Sequence, residues 1–199
     1  LDNKTPDALI DLFEKNNIPY YMKEYDTSFF SHFIVRDIEY IINIFKDLHD
    51  FDSFQKIYYK LGVGIKKTEI EHLEKIHSSF DSIFDALLVI CYELRKVEKI
   101  KILKQNFINL SSECSFDALQ RILYKMGYND YLDNKNISKQ LVQMKNIPNS
   151  YVQKINVLLS LAKQNPNLNS FIYRLSELNK ISQTKKNESS NIVLSTVHS

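Results

Sequence analysis

Apolar residues recur along most of this chain at intervals of three and four, the spacing of one buried face of a helix. Ile34, Val35, Ile38, Ile41, Ile42, Phe45 and Leu48 trace a long amphipathic helix, and Phe54, Ile57, Tyr58 and Leu61 a shorter one that stops at Gly62. Ahead of them, Thr5 is placed to cap a helix that has Pro6 at its first position and Leu9, Ile10, Leu12 and Phe13 as its stripe, ending at Asn16 and Asn17. After Gly64, Thr68 and Glu71 have capping-box spacing, although Ile65 to Lys67 could already lie in the first turn; Ile70, Leu73 and Ile76 form that helix's stripe. The pattern predicts further helices at Phe80 to Cys91, around Tyr92 to Phe107, at Phe116 to Met126 with Gly127 as C-terminal cap, at Tyr151 to Gln164 and at Ser170 to Leu178. Residues 179–190, "NKISQTKKNESS", are polar and read as a loop.

Two stretches break this period. "IPYYM", 18–22, precedes the turn-like "KEYDTS", and "NIVLSTV", 191–197, is rich in β-branched residues. A strand leaves its backbone groups unpaired unless it has a neighbour. The economical arrangement puts both terminal strands in one sheet, with the helical block inserted between them. No repeat of fixed period and no low-complexity tract is present.

Composition changes this picture little. The 199 residues are 44% hydrophobic and 25% charged, with a net charge of +2, so any nucleic-acid contact must come from a local patch. Cys91 and Cys114 lack zinc or redox spacing and predict reduced thiols in a cytoplasmic protein. No apolar run approaches a membrane span and no signal peptide is present, so no membrane partner is expected. A first residue Leu1, and Ser199 in mid β-like run, predict a piece of a longer protein.

Candidate chemistry is sparse. There is no GxxxxGK[ST] phosphate loop. His72 and His77 are five apart, off a common helical face, and read as solvated side chains rather than metal ligands. Glu69, Glu71 and Glu74 read as a charged helix surface, and Cys91 in "ALLVIC" as core. The chain by itself is not expected to catalyse a reaction or to hold a cofactor or metal. The informative stretch is "KLGVGIKKTEI", 60–70, which holds two of the chain's three glycines. A Gly–x–Gly between helices is either a tight corner using positive φ, or an anion site whose backbone N–H groups face a phosphate. Lys60, Lys66 and Lys67 surround the turn and fit the second use as contacts blind to base sequence. Spacing alone favours the corner.

Three segments bear on that choice. "NNIPYYM" after an amphipathic helix, followed by "FF" at 29–30 and "IVRDIEYI", resembles the start of the C-terminal half of UvrD/Rep/PcrA-type superfamily 1 DNA helicases. "LGVGIKKTEI" stands where that family carries an "RGIG" turn, and "IVLSTVHS" resembles its "V-x-L-x-T-x-H-S" segment. "MGYNDYL", "INVLLSLA" and "FIYRLSEL" are looser parallels, so the resemblance spans the chain in order. Leu61 stands where the family has arginine, and the chain stops short of the usual "AKGLEF" continuation.

The resemblance implies a mainly α fold: a multi-helix 2B subdomain inserted between terminal segments that form a small α/β remnant of the RecA-like 2A subdomain. Residues 1–30 would be the N-terminal piece of 2A, 31–187 the 2B subdomain, and 188–199 the C-terminal 2A strand. It implies that Gly62, Val63 and Gly64, with Lys60, Lys66 and Lys67, touch the duplex DNA backbone without sequence preference. Thr196 and His198 match a coupling motif that lies between single-stranded DNA and ATP. The intact parent would be a 3′-to-5′ helicase of repair or replication that uses ATP and Mg²⁺, with regulatory proteins as possible further partners. The alternatives are a non-catalytic helical protein-interaction module, for which the GVG is only a corner, and a segment of a helicase–nuclease.

Overall fold

The computed structural model describes the backbone of residues 21–22, 27–139, 149–184 and 193–194, and side chains over 29–134 and 151–180. The chain divides into two compact units, one made of residues 1–32 and 173–199, the other of residues 33–172. The fold is mainly helical.

In the first unit, β1 (Tyr21–Met22) pairs in parallel with β2 (Val193–Leu194), Tyr21 opposite Val193 and Met22 opposite Leu194. These fall within the two segments whose composition predicts strands, and they meet although most of the sequence separates them. A short helix, α1 (Thr27–Phe30), buries Phe29 and Phe30, whose rings meet edge to face at 5.0 Å. The predicted helix after Thr5, and Thr196 and His198, lie outside the described residues.

The second unit begins with α2 (Phe33–Lys46), which buries Ile34, Val35, Ile38, Ile41 and Ile42 of the predicted stripe and Ile44 besides, whereas Phe45 is half-buried and Leu48 lies half-buried beyond the helix end. Asp37 is buried among them. A turn at 47–50 leads to α3 (Phe51–Ile57), capped by Asp50, whose carboxylate accepts the Ser53 N–H at 2.9 Å. A 3-10 turn, Tyr58–Lys60, carries the chain to Gly62. Next come α4 (Lys67–Ile76), α5 (Ile83–Ile90, capped by Ser82) and α6 (Leu94–Asn109). Phe54, Phe84 and Phe107, each fully buried, join α3, α5 and α6, with ring centroids 5.9 and 5.0 Å apart.

The remaining helices are α7 (Ser115–Lys125), α8 (Tyr128–Lys139), α9 (Asn149–Gln164) and α10 (Leu168–Thr184). α9 packs on α7 and α2, with Leu158, Leu161 and Ala162 buried. α8 is not foreseen by periodicity, because "YNDYLDNKNISK" carries few apolar residues; among its described side chains only Tyr128 and Leu132 are fully buried, with Tyr131 half-buried against Tyr59. α10 runs through Thr184, so residues 179–184 of the expected loop are helical and the rest of it lies outside the described residues. Its Gln and Lys residues are adequate helix formers although polar. No helix among the described residues is long and apolar enough to cross a membrane.

Candidate nucleic-acid interface

The Gly62–Val63–Gly64 turn is where the sequence concentrates its backbone freedom, and both glycines use it, with φ of 67° and 79°. The two do different work. A Cβ on Gly62 would meet the Gly127 Cα at 3.3 Å, whereas one on Gly64 would meet nothing within 4 Å. Gly127, with φ of 81°, ends α7 and begins α8: its carbonyl accepts the Tyr131 N–H at 3.2 Å. A Cβ there would lie 2.9 Å from the Gly62 Cα and 3.0 Å from the Gly62 nitrogen. The two glycines of the GVG turn therefore sit in different surroundings. Gly62 is a corner where two backbones touch, and Gly64 is the open half of the turn.

Val63 and Ile65 are buried on either side of Gly64 and anchor the turn in the core. The backbone N–H groups of Val63, Gly64 and Ile65 have no acceptor among the described residues. The next N–H, that of Lys66, is taken: it donates to Glu69 Oε2 at 2.7 Å. Lys66 is thus the N-cap of α4, two residues earlier than the Thr68–Glu71 spacing suggests, and the Glu69 carboxylate makes the back-bonded half of a capping box, accepting the Lys66 N–H. That carboxylate already serves the positive end of α4, so an incoming anion would be met by the turn amides and not by the first turn of the helix.

The lysines sort equally clearly. Lys66 and Lys67 are exposed, Lys67 reaching Glu71 only at 3.9 Å. Lys60 is not a surface contact, against the sequence expectation. Its ammonium lies 2.6 Å from Asp37 Oδ1, both side chains buried, and faces the Tyr59 and Tyr131 rings at 5.2 and 5.6 Å. The other carboxylate oxygen accepts the Tyr128 hydroxyl at 2.7 Å. Burial alone would lower the Lys60 pKa, but the Asp37 hydrogen bond and charge outweigh it and hold the value above the ordinary one.

Two further lysines come from α6. Lys99 donates to the Gly62 carbonyl at 3.3 Å and is exposed, so it adds charge beside the turn. Lys96 is buried and grips both Glu69 oxygens at 2.9 and 3.0 Å. Periodicity carries a signal for two of the buried charges, one from each ion pair: Asp37 stands three after Ile34 and four before Ile41, and Lys96 four before Ile100. A charge inside an apolar stripe requires a buried partner. Nothing comparable marks Lys99.

Cys91 shares the Glu69 neighbourhood. Burial, and after it the Glu69 charge, pushes its thiol up to about 11, whereas Cys114 is exposed. A short iodoacetamide pulse at pH 8 should label Cys114 and spare Cys91 until the chain is unfolded, as read by peptide mass. Equal labelling of both in the native protein would contradict the buried position of Cys91. His77 is not a free surface histidine: its ring stacks on Phe51 at 4.9 Å. His72 is exposed, and the described residues hold no group of three metal-ligating side chains.

No family model, no curated protein and no solved structure matches this chain.

Proposed function

We propose that this chain is a helical, non-catalytic DNA-contacting subdomain whose open GVG turn holds the duplex backbone without reading its sequence. More particularly, it is the 2B subdomain, with edges of a RecA-like 2A sheet, of an ATP-dependent 3′-to-5′ DNA helicase of the UvrD/Rep/PcrA type. ATP, Mg²⁺ and the catalytic groups belong to the intact parent. The observation that carries this reading is the parallel pairing of Tyr21–Met22 with Val193–Leu194, which is the layout of a helical insertion in a sheet. The contact itself is supported by the amides of Val63 to Ile65, which have no acceptor among the described residues, beside Lys66, Lys67 and Lys99. A second reading, a protein-interaction module, draws on Tyr92 and Leu94, which are 88% and 85% exposed.

The test is duplex binding by the 199-residue chain at low and rising salt, where the weak net charge of +2 leaves local contacts to dominate. Lys66→Ala with Lys67→Ala should weaken binding alike for unrelated sequences and lower the slope of log affinity against log salt by about 0.9 for each phosphate no longer neutralised. Adding Lys99→Ala should lower it again. An unchanged slope in the triple variant, or no duplex binding by the unaltered 199-residue chain, would overturn the DNA reading.

A further inference from the structure

The carboxylate of Asp37 spans the two chain segments whose glycines abut. It takes the Lys60 ammonium on Oδ1 and the Tyr128 hydroxyl on Oδ2. Lys60 is two residues before Gly62, and Tyr128 is the residue after Gly127. Between those anchors the contact is bare backbone, Gly62 against Gly127. Two glycines have no side chains to interlock, so dispersion alone holds them together without fixing their register. A buried carboxylate with one charged and one neutral donor supplies direction, because each bond weakens steeply with misalignment.

We propose that Asp37 is the positioning residue of the 62–64 turn: through Lys60 and Tyr128 it sets the seam between Gly62 and Gly127, and thereby the direction in which the amides of Val63 to Ile65 face. Its bearing on DNA rests on the function proposed above; its bearing on the turn does not. A carboxylate buried among isoleucines is explained by this role, whereas an apolar residue would fill α2's stripe without the cost of burying charge.

The chain offers a direct readout, since it contains three glycines and all three lie at this junction. Selective ¹⁵N-glycine labelling of the full chain yields one amide signal each for Gly62, Gly64 and Gly127. Asp37→Asn should displace or broaden the Gly62 and Gly127 signals, and Tyr128→Phe, which keeps the ion pair, should displace the same two less. In duplex titrations both variants should lose affinity at every salt concentration while keeping the wild-type salt slope, because every phosphate partner is still in place. Lys66→Ala with Lys67→Ala should do the opposite, flattening the slope with Gly62 and Gly127 unmoved. Should Asp37→Asn fail to fold, Tyr128→Phe decides alone. Glycine signals that stay at wild-type positions in the folded variants would overturn the proposal. If the unaltered chain binds no duplex, the DNA reading falls and the glycine spectra still decide what Asp37 does.

Discussion

Replacing Lys60 by Met should destabilise the chain by about 3 kcal/mol or more, the usual penalty for leaving one member of a buried ion pair alone. A surface phosphate contact would predict almost no change, since exposed charges contribute little to stability. The loss arises because the Asp37 carboxylate, buried on α2, keeps only the Tyr128 hydroxyl. Asp37→Leu combined with Lys60→Met should be far less damaging than the sum of its single variants, because the double change removes the charge along with its partner. The residual cost is that of the orphaned Tyr128 hydroxyl, roughly 1–3 kcal/mol. Urea unfolding of the four proteins closes the cycle. Additive singles of under about 1 kcal/mol each would mean the pair is solvated after all.

The same cluster contributes to the loss of stability expected at alkaline pH. Lys60 and Tyr128 both have pKa values raised in the fold, Tyr128 by burial first and then by the Asp37 charge. Each therefore retains its proton in the native state where the unfolded chain loses it. Their contribution is complete below the unfolded values near 10 and declines as pH rises beyond them. Glu69 and Asp85 work in the opposite sense. Glu69 is held low despite burial by the Lys66 N–H and Lys96, and Asp85 by Lys104 and Ser82. Their support is present above the unfolded values of 4.5 and 3.8 and is lost as pH falls below them.

Much of the fold is legible in the sequence because burial follows helical period. Five residues of the α2 stripe, Ile34, Val35, Ile38, Ile41 and Ile42, are buried as its period requires, Gly127 is legible as a cap, and both strand segments stand out by composition. What period cannot carry is partnership. Asp37 is 23 residues from Lys60 and 91 from Tyr128, and no local pattern announces either pairing. The same limit explains Lys60: beside a glycine turn, among other lysines, its place in the sequence is that of a surface contact, and only the tertiary packing buries it. α8 escapes notice because only two of its described side chains, Tyr128 and Leu132, are fully buried, too few to set a period. The cap of α4 shifts because Glu69, drawn toward Lys96 on α6, is the carboxylate that reaches back. Of the candidate site, then, the turn and its flexible halves are readable, but not which half is packed and which is open.

That division yields the sharpest contrast between single substitutions. Gly127→Ala should cost about 3 kcal/mol or more: 1–2 kcal/mol for a left-handed backbone with a side chain, and the rest for a clash with no easy escape. The new Cβ would sit 2.9 Å from the Gly62 Cα and 3.2 Å from the Leu61 carbonyl carbon, and both of those are backbone. Gly62→Ala, closing from the other side to 3.3 Å, should fall between. Gly64→Ala meets open space and should cost only the left-handed term, about 1–2 kcal/mol. Thermal or urea melts rank the three, and the decisive comparison is Gly127→Ala against Gly64→Ala. Equal losses would mean that the seam is slack and that positive φ alone accounts for the glycines. The ranking also separates stability from function. Gly64→Ala leaves the seam intact but places a methyl beside amides that have no acceptor among the described residues, so its effect on duplex affinity should exceed what its modest destabilisation explains. Gly127→Ala should weaken binding only as far as it disturbs the seam that holds the turn.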